Sequence, residues 1–157
     1  MVSTSGDSRL TRARAELYLH ANTTVITVPT GTEYTHLILP TLIKGEEKNA
    51  ISNTSTGELE CTIAGVYNVV FTASSKVDVN QLTLRTVIFK NELELQNIHA
   101  KRVFKTAAEE TTVQIEGFVR LDIGDKLTVR GRHNDAGDVD LTIEYGCFKM
   151  DRIDVWT

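Results

Sequence analysis

Short runs of residues in which apolar and polar side chains alternate with a period of two limit this chain to a narrow range of folds. The clearest run, Gly65–Lys76, places Tyr67 and Phe71 on one side and mostly polar residues on the other. Successive side chains of a β-strand point to opposite faces, so the pattern predicts a strand with one buried face. Similar runs occur at Thr111–Leu121 and Lys126–His133, and no window has the period of a long amphipathic helix. We therefore expect an all-β protein.

The number and spacing of these runs predict a sandwich of two sheets. About eight to ten predicted strands, separated by Gly, Asn, Asp or Pro, follow one another within about 140 residues. The run Gln81–Lys90 carries apolar side chains on both faces towards its end, which indicates burial on both sides. The polar segment Thr41–Gly57 is expected to be a surface loop. Shorter strands are predicted at Glu16–Leu19, Val25–Val28, His36–Leu39, Ile51 and Leu59–Ile63.

The last predicted strand, which begins at Val139, contains a change of register. The residues Ile143, Tyr145 and Cys147 share one face of this strand, whereas the aromatic residue after them continues in a shifted register. A glycine in a strand often marks a β-bulge, so Gly146 is the expected site of the shift.

The composition of the chain changes near residue 15, which divides an N-terminal arm from one domain. Residues 1–14 have too few apolar side chains to form a core, so we interpret them as an extended arm. Residues 15–157 are long enough to bury one core without disulfide bonds or a metal. Arg9, Arg12 and Arg14 give the arm a formal charge of about +2, although the whole chain carries −4. The arm either docks on an acidic partner or nucleic acid, or keeps a tail soluble, whereas the acidic body argues against general nucleic-acid binding.

The sequence has none of the motifs that bind nucleotides or build the common hydrolase sites, so we expect no enzymatic activity and no cofactor. The two cysteines, Cys61 and Cys147, have neither metal-binding spacing nor a neighbouring histidine, and this predicts free thiols without a metal. Asp135, Asp138 and Asp140 can supply oxygen ligands to calcium or simply form a tight turn, and the turn is the favoured interpretation.

The beginning of the chain lacks the basic and apolar segments of a secretion signal. No stretch of 18 apolar residues is present, so no membrane partner is expected. We therefore expect a soluble product of the cytosol.

Three segments of the sequence resemble the jelly roll of the tumour-necrosis-factor and complement-head-like superfamily. Ala64–Ser74 contains a G-x-Y strand, Val87–Glu92 resembles the next strand and its hairpin, and Val113–Leu127 contains an L-x-x-G-D turn that enters a strand. Glu92 stands where that hairpin commonly has a glycine. The resemblance extends over Gly57–Ile153 and implies a jelly-roll β-sandwich that assembles as a homotrimer.

Within that superfamily, the short chain with a polar arm resembles bacteriophage virion proteins, most of all capsid decoration (cement) proteins. The resemblance implies a structural protein that is made in the host cytoplasm and stabilises the capsid surface of the virion. Its partner would be the major capsid protein, with Arg9, Arg12 and Arg14 as attachment residues. The alternative is a trimeric fibre head that binds a receptor or a carbohydrate through loops such as Thr41–Gly57 or Lys101–Glu110.

Five aromatic residues are candidates for the core or for the trimer axis, and periodicity alone does not separate the two roles. A trimer would also cover the apolar side of the Leu82–Phe89 strand that faces away from the core. The candidates are Tyr67, Phe89, Phe118, Tyr145 and Phe148.

Overall fold

Twelve β-strands form between residues 11 and 153, the part of the chain that the computed structural model describes, and this part contains no helix. The all-β prediction is confirmed. In chain order the strands are β1 (Arg14–Leu19), β2 (Val25–Val28), β3 (Thr35–His36), β4 (Ile43–Lys44), β5 (Ala50–Asn53), β6 (Glu58–Cys61), β7 (Gly65–Val77), β8 (Leu82–Lys90), β9 (Leu93–Phe104), β10 (Thr111–Leu121), β11 (Lys126–Arg132) and β12 (Val139–Arg152).

The strands form two antiparallel sheets of six strands each. The first sheet has the order β10-β7-β12-β1-β4, and β2 also pairs with β12. The second sheet has the order β5-β6-β11-β8-β9, and β3 also pairs with β11. Strands that follow one another in sequence often lie in different sheets, and the inner faces of both sheets share one apolar core. This arrangement confirms the predicted jelly-roll sandwich.

The core follows directly from the alternation seen in the sequence. Along β7, every second side chain from Tyr67 to Val77 is buried and the residues between them are partly exposed. Tyr67 is fully buried, and its hydroxyl donates a hydrogen bond of 2.7 Å to the carbonyl oxygen of Ile63. Phe148 of β12 is also buried in this core. Both aromatic side chains therefore stabilise the fold from within.

A β-bulge in β12 determines which residues of this strand reach the surface. Ile143 pairs with Ser75 and Tyr145 pairs with Ser74, so Glu144 is an extra residue in the ladder. The predicted bulge is present, but it lies just before Gly146 rather than at it. Tyr145 consequently points outwards and is 46% exposed, which corrects the prediction that it shares a face with Ile143.

The structure corrects three predictions about short segments. The expected loop at Thr41–Gly57 contains β4 and β5, and the expected loop at Lys101–Glu110 begins within β9. Of the predicted strand His36–Leu39, only His36 belongs to a strand. Strands of two residues are too short to show a period of two, which is why the sequence predicted fewer strands than the structure contains.

The first described residues belong to the domain rather than to a separate arm. Ala13 is buried, and its carbonyl oxygen accepts a hydrogen bond of 2.9 Å from the backbone N–H of Arg152. The amide of Asn49 donates a hydrogen bond of 2.8 Å to the carbonyl oxygen of Arg12. The domain therefore begins before Arg14, because alternate residues from Ala13 onwards face the core. Residues 1–10, including Arg9, lie outside the described residues.

The prediction that β8 is buried on both faces is confirmed, since the four residues Thr86–Phe89 are all buried. The cover on its outer side comes from the same chain, which corrects the expectation that symmetry mates supply it. The ring of Tyr34 meets the ring of Phe89 edge-on at 5.1 Å. The guanidinium group of Arg130 lies 4.2 Å from the centre of the Phe89 ring. Tyr34 directly precedes β3, which pairs with β11, and its side chain reaches over the outer face so that its hydroxyl donates a hydrogen bond of 3.2 Å to Oε1 of Glu94 on β9.

We predict that Gly117→Ala destabilises the domain, because this residue lies where β10 meets β9. A Cβ atom on Gly117 would lie 2.6 Å from Cγ1 of Ile98, inside the contact distance of two carbon atoms. The expected loss is about 1–3 kcal/mol in the free energy of unfolding, measured with urea. Gly131→Ala is the matched control, since its Cβ would meet nothing closer than 3.5 Å. Equal losses in the two variants would contradict the close contact.

Candidate functional site

The outer face of the first sheet has an uncharged centre, which we call the first-sheet patch. Four side chains lie side by side across β10, β7, β12 and β1, and the neighbouring row adds three more. The ring of Tyr145 also meets the ring of His20 edge-on at 5.4 Å. A patch without charge and with aromatic rings has the composition of a protein contact surface. Its residues are Gln114, Thr72, Cys147 and Tyr18, then Thr112, Ser74 and Tyr145.

The first-sheet patch is bordered by Glu16 and Lys149, and Arg14 lies in the next row of the same face. Its guanidinium group lies 2.9 Å from Oδ1 of Asp151 and also contacts the carboxylate of Glu46. The hydrogen bond to Asp151, followed by that to Glu46, raises the pKa of Arg14. Arg14 therefore binds its own domain, whereas the side chain of Arg12 is exposed.

The structure separates the five aromatic candidates into two groups. Tyr67, Phe89 and Phe148 are buried within the chain, as described above. Phe118 on β10 is 61% exposed. It is the apolar residue on a strand face whose other side chains are polar or charged. Together with Tyr145 it leaves apolar surface free on the outside of the first sheet.

The outer face of the second sheet contains a polar cleft of about 510 Å³. Arg130 lies in its wall, and its side chain is only 8% exposed although its carboxylate partner, Glu92, is 84% exposed at a distance of 3.1 Å. Burial, followed by the charge of Arg130, lowers the pKa of His36 in the same cleft. The cleft thus combines a fixed cation with a neutral imidazole, hydroxyl groups and carboxylates. Its lining includes His36, Ser55, Thr56, Glu58, Lys126 and Arg130.

No metal site is formed by the described residues, since they contain no cluster of three or more His, Cys, Asp or Glu side chains that could hold an ion. Oδ2 of Asp135 accepts a hydrogen bond of 3.0 Å from the backbone N–H of Thr83. Oδ1 of Asp140 accepts one of 2.8 Å from the hydroxyl of Thr27. Asp135 therefore binds to β8, and Asp140 binds to β2.

Cys147 lies within the first-sheet patch and its thiol is strongly disfavoured as a thiolate. Burial, followed by the negative charge of Glu16, raises the pKa of Cys147 to about 11. The Sγ–H group donates to Oε1 of Glu16 at 3.4 Å, and this bond is lost when the thiol ionises. Burial also raises the pKa of Cys61. Both thiols are therefore protonated at neutral pH and poor nucleophiles.

Within residues 11–153, no helix has the length and apolar character needed to cross a membrane.

We predict that Glu16→Gln lowers the pKa of Cys147, because it removes the negative charge that opposes the thiolate. The rate of alkylation by iodoacetamide, followed against pH in a Cys61→Ala background, measures this pKa. The matched control is Glu116→Gln, which removes the same charge from β10. An unchanged pKa in Glu16→Gln would contradict the role of this carboxylate.

Comparison with known proteins gives a result for structure but not for sequence. No family model matches the chain, and no curated protein matches it. The globular domain of zebrafish complement 1qA protein is similar with a TM-score of 0.54 and 18% identity, over 88% of this chain and 94% of that chain. Murine APRIL is similar with a TM-score of 0.58 and 13% identity, over 90% of this chain and 98% of that chain.

The Eiger TNF of S. frugiperda is a third similar structure, with a TM-score of 0.52 and 15% identity, over 92% of this chain and 96% of that chain. Each match extends over nearly the whole of both domains. At these identities the similarity concerns the fold. The chain thus has the jelly-roll fold of complement-head and tumour-necrosis-factor domains.

Proposed function

We propose that the chain is a non-enzymatic head domain that acts as a homotrimer, with the first-sheet patch as its contact surface. The observation that carries this proposal is the uncharged patch, which contains the exposed ring of Tyr145, on a sheet face that also exposes Phe118. The outer face of an antiparallel sheet is usually solvated and polar, so apolar rings there favour a covered surface. The resemblance of the sequence to a trimeric superfamily supports the same assembly.

The positions of the two rings suit a ring of three subunits. A closed ring that is not a dimer needs two different surfaces on each subunit, since each contact is head to tail. Phe118 lies on β10, at the edge of the first sheet, and Tyr145 lies on β12, two strands further in. The edge of one subunit, with Phe118, can therefore pack against the patch of the next, with Tyr145.

A more specific proposal is that the trimer is a capsid decoration protein. It would be made in the host cytoplasm and bind the major capsid protein on the surface of a bacteriophage virion. Its support is the sequence resemblance and the excess of arginine before the first strand. Because Arg14 is paired with Asp151 and Glu46, attachment would depend on Arg9 and the exposed Arg12.

A second candidate function is a trimeric fibre head that binds a receptor or a carbohydrate. The polar cleft of the second sheet favours it, because hydroxyl groups, carboxylates and cations occur together there. Ser55 and Thr56 in its lining come from the segment Thr41–Gly57, in which the sequence predicted recognition.

We predict that Phe118→Ser weakens the trimer without unfolding the subunit. A phenylalanine side chain that is 61% exposed in the subunit adds little to its stability. Its burial in a contact is worth about 2 kcal/mol, so each contact should weaken about 30-fold. Native mass spectrometry and sedimentation velocity measure the oligomer. Leu93→Ser is the matched control, because Leu93 is 75% exposed on the second sheet. A monomeric wild-type protein at micromolar concentration would overturn the proposed assembly.

We predict that deleting residues 1–10 together with Arg12→Gln leaves a folded trimer that no longer co-sediments with capsids. This deletion leaves β1 and its pairing with β12 intact. Arg14→Gln is the control, since it should lower the free energy of unfolding by up to about 1 kcal/mol and leave capsid binding unchanged. Full capsid binding by the deleted protein would contradict attachment through the arm.

A further inference from the structure

We infer that three cations on the outer face of the second sheet form a binding site for an acidic saccharide. Lys101 of β9 lies directly opposite Arg85 of β8, and Arg85 lies directly opposite Arg132 of β11. We call these three side chains the basic row. The inference deepens the second candidate function, since it names the chemistry of the ligand that such a head would bind.

The basic row is an unfavourable arrangement for the isolated domain. Like charges directly opposite each other on neighbouring strands destabilise a sheet by tenths of a kcal/mol up to about 1 kcal/mol. Glu94 relieves part of this repulsion, because its Oε1 lies 2.5 Å from Nη2 of Arg85. Among the described residues, neither Lys101 nor Arg132 forms an ion pair. An anion bound along the row would remove this remaining repulsion.

The arginine side chains of the row are held in place before any ligand binds. Arg132 donates a hydrogen bond of 2.9 Å to the carbonyl oxygen of Thr32, and its guanidinium group lies 4.7 Å from the ring centre of Tyr34. Arg85 is held by its ion pair with Glu94, although its buried Nε has no hydrogen-bond partner among the described residues. Side chains that are fixed in advance lose little entropy when they bind a carboxylate or a sulfate group.

The neighbours of the row indicate a saccharide rather than a simple anion. The three cations line a small pocket together with Thr83, Asn134 and Asp135. A hydroxyl, an amide and a carboxylate are suitable partners for sugar hydroxyl groups. The carboxylate of Asp135 is held by the backbone N–H of Thr83, so it stays beside the cations. A ligand that carries both acidic groups and hydroxyl groups can satisfy this set.

The lack of a stacking surface argues against a single-stranded nucleic acid as the ligand. The pocket lining contains no aromatic ring on which a base can stack, because the nearby ring of Tyr34 lies under Arg132. Adjacent strands are about 4.8 Å apart, so the row extends over about 10 Å and suits more than one acidic group.

The test measures binding of defined oligosaccharides to the full chain by isothermal titration calorimetry. The probes are a heparin-derived tetrasaccharide for sulfate groups, a hyaluronan tetrasaccharide for carboxylate groups and maltotetraose as the neutral control. We expect one or both acidic probes to bind, with an affinity that falls as salt rises, and maltotetraose not to bind. No binding of either acidic probe at low salt would overturn the inference, as would tighter binding of a single-stranded oligonucleotide.

The matched variants are Lys101→Gln and Arg132→Gln, with Lys105→Gln as the control outside the pocket. We expect each pocket variant to raise the dissociation constant about 10-fold and the double variant about 100-fold, whereas Lys105→Gln changes it less than 2-fold. Equal effects of pocket and control variants would overturn the site. Lys101→Gln alone should also raise the melting temperature by about 1 °C, because it removes the repulsion from Arg85 and leaves the contacts of Arg132 with Thr32 and Tyr34 intact.

The outcomes separate this inference from the proposed assembly, because native mass spectrometry is recorded on the same samples. Binding by a monomer overturns the trimer and leaves the saccharide site standing. A trimer that binds neither acidic probe overturns the saccharide site and leaves the assembly standing.

Discussion

The pairing of β7 with β12 is the interaction on which the rest of this structure depends. These long strands lie at the centre of the first sheet, and β10 and β1 pair with their free sides. The inward side chains of both strands fill the core, for example Phe71 and Phe148, which pair directly. The bulge at Glu144 then sets Tyr145 and Cys147 on the outside, where the proposed contact surface lies. One backbone ladder thus determines both the stability of the domain and the composition of its outer face.

The long strands could be predicted from the sequence because their environment has two sides, one apolar and one polar. In β7 every second side chain from Tyr67 to Val77 is buried, β10 shows the same alternation from Thr111 to Ile115, and the amino-acid pattern reports this directly. The position of the bulge could not be predicted to the residue, since Glu144 and Gly146 both suit an irregular strand. Very short strands such as β3 and β4 depend on distant partners, and their own residues carry no periodic signal.

The candidate surfaces were predicted less well than the fold, because they consist of residues that only the register brings together. Lys101, Arg85 and Arg132 are far apart in the sequence and meet solely because β9, β8 and β11 are neighbours. Arg14 shows the opposite case. It belongs to a basic stretch of sequence, yet in the folded chain Asp151 and Glu46 compensate its charge. A cluster of charged residues in a sequence therefore indicates an electrostatic interaction. Only the fold shows whether the partner lies in the same chain or in another molecule.

The alternation of β12 also limits how this protein can vary in evolution. Because side chains alternate, loss or gain of one residue between Tyr145 and Phe148 would exchange the two faces of the rest of the strand and turn Phe148 towards solvent. Loss of the extra residue Glu144 would instead remove the bulge and keep Tyr145 outside and Phe148 inside. The exposed residues 136–138 of the preceding turn have no such restriction. Relatives of this chain should therefore differ in length at that turn or at the bulge, while the spacing between Tyr145 and Phe148 stays constant.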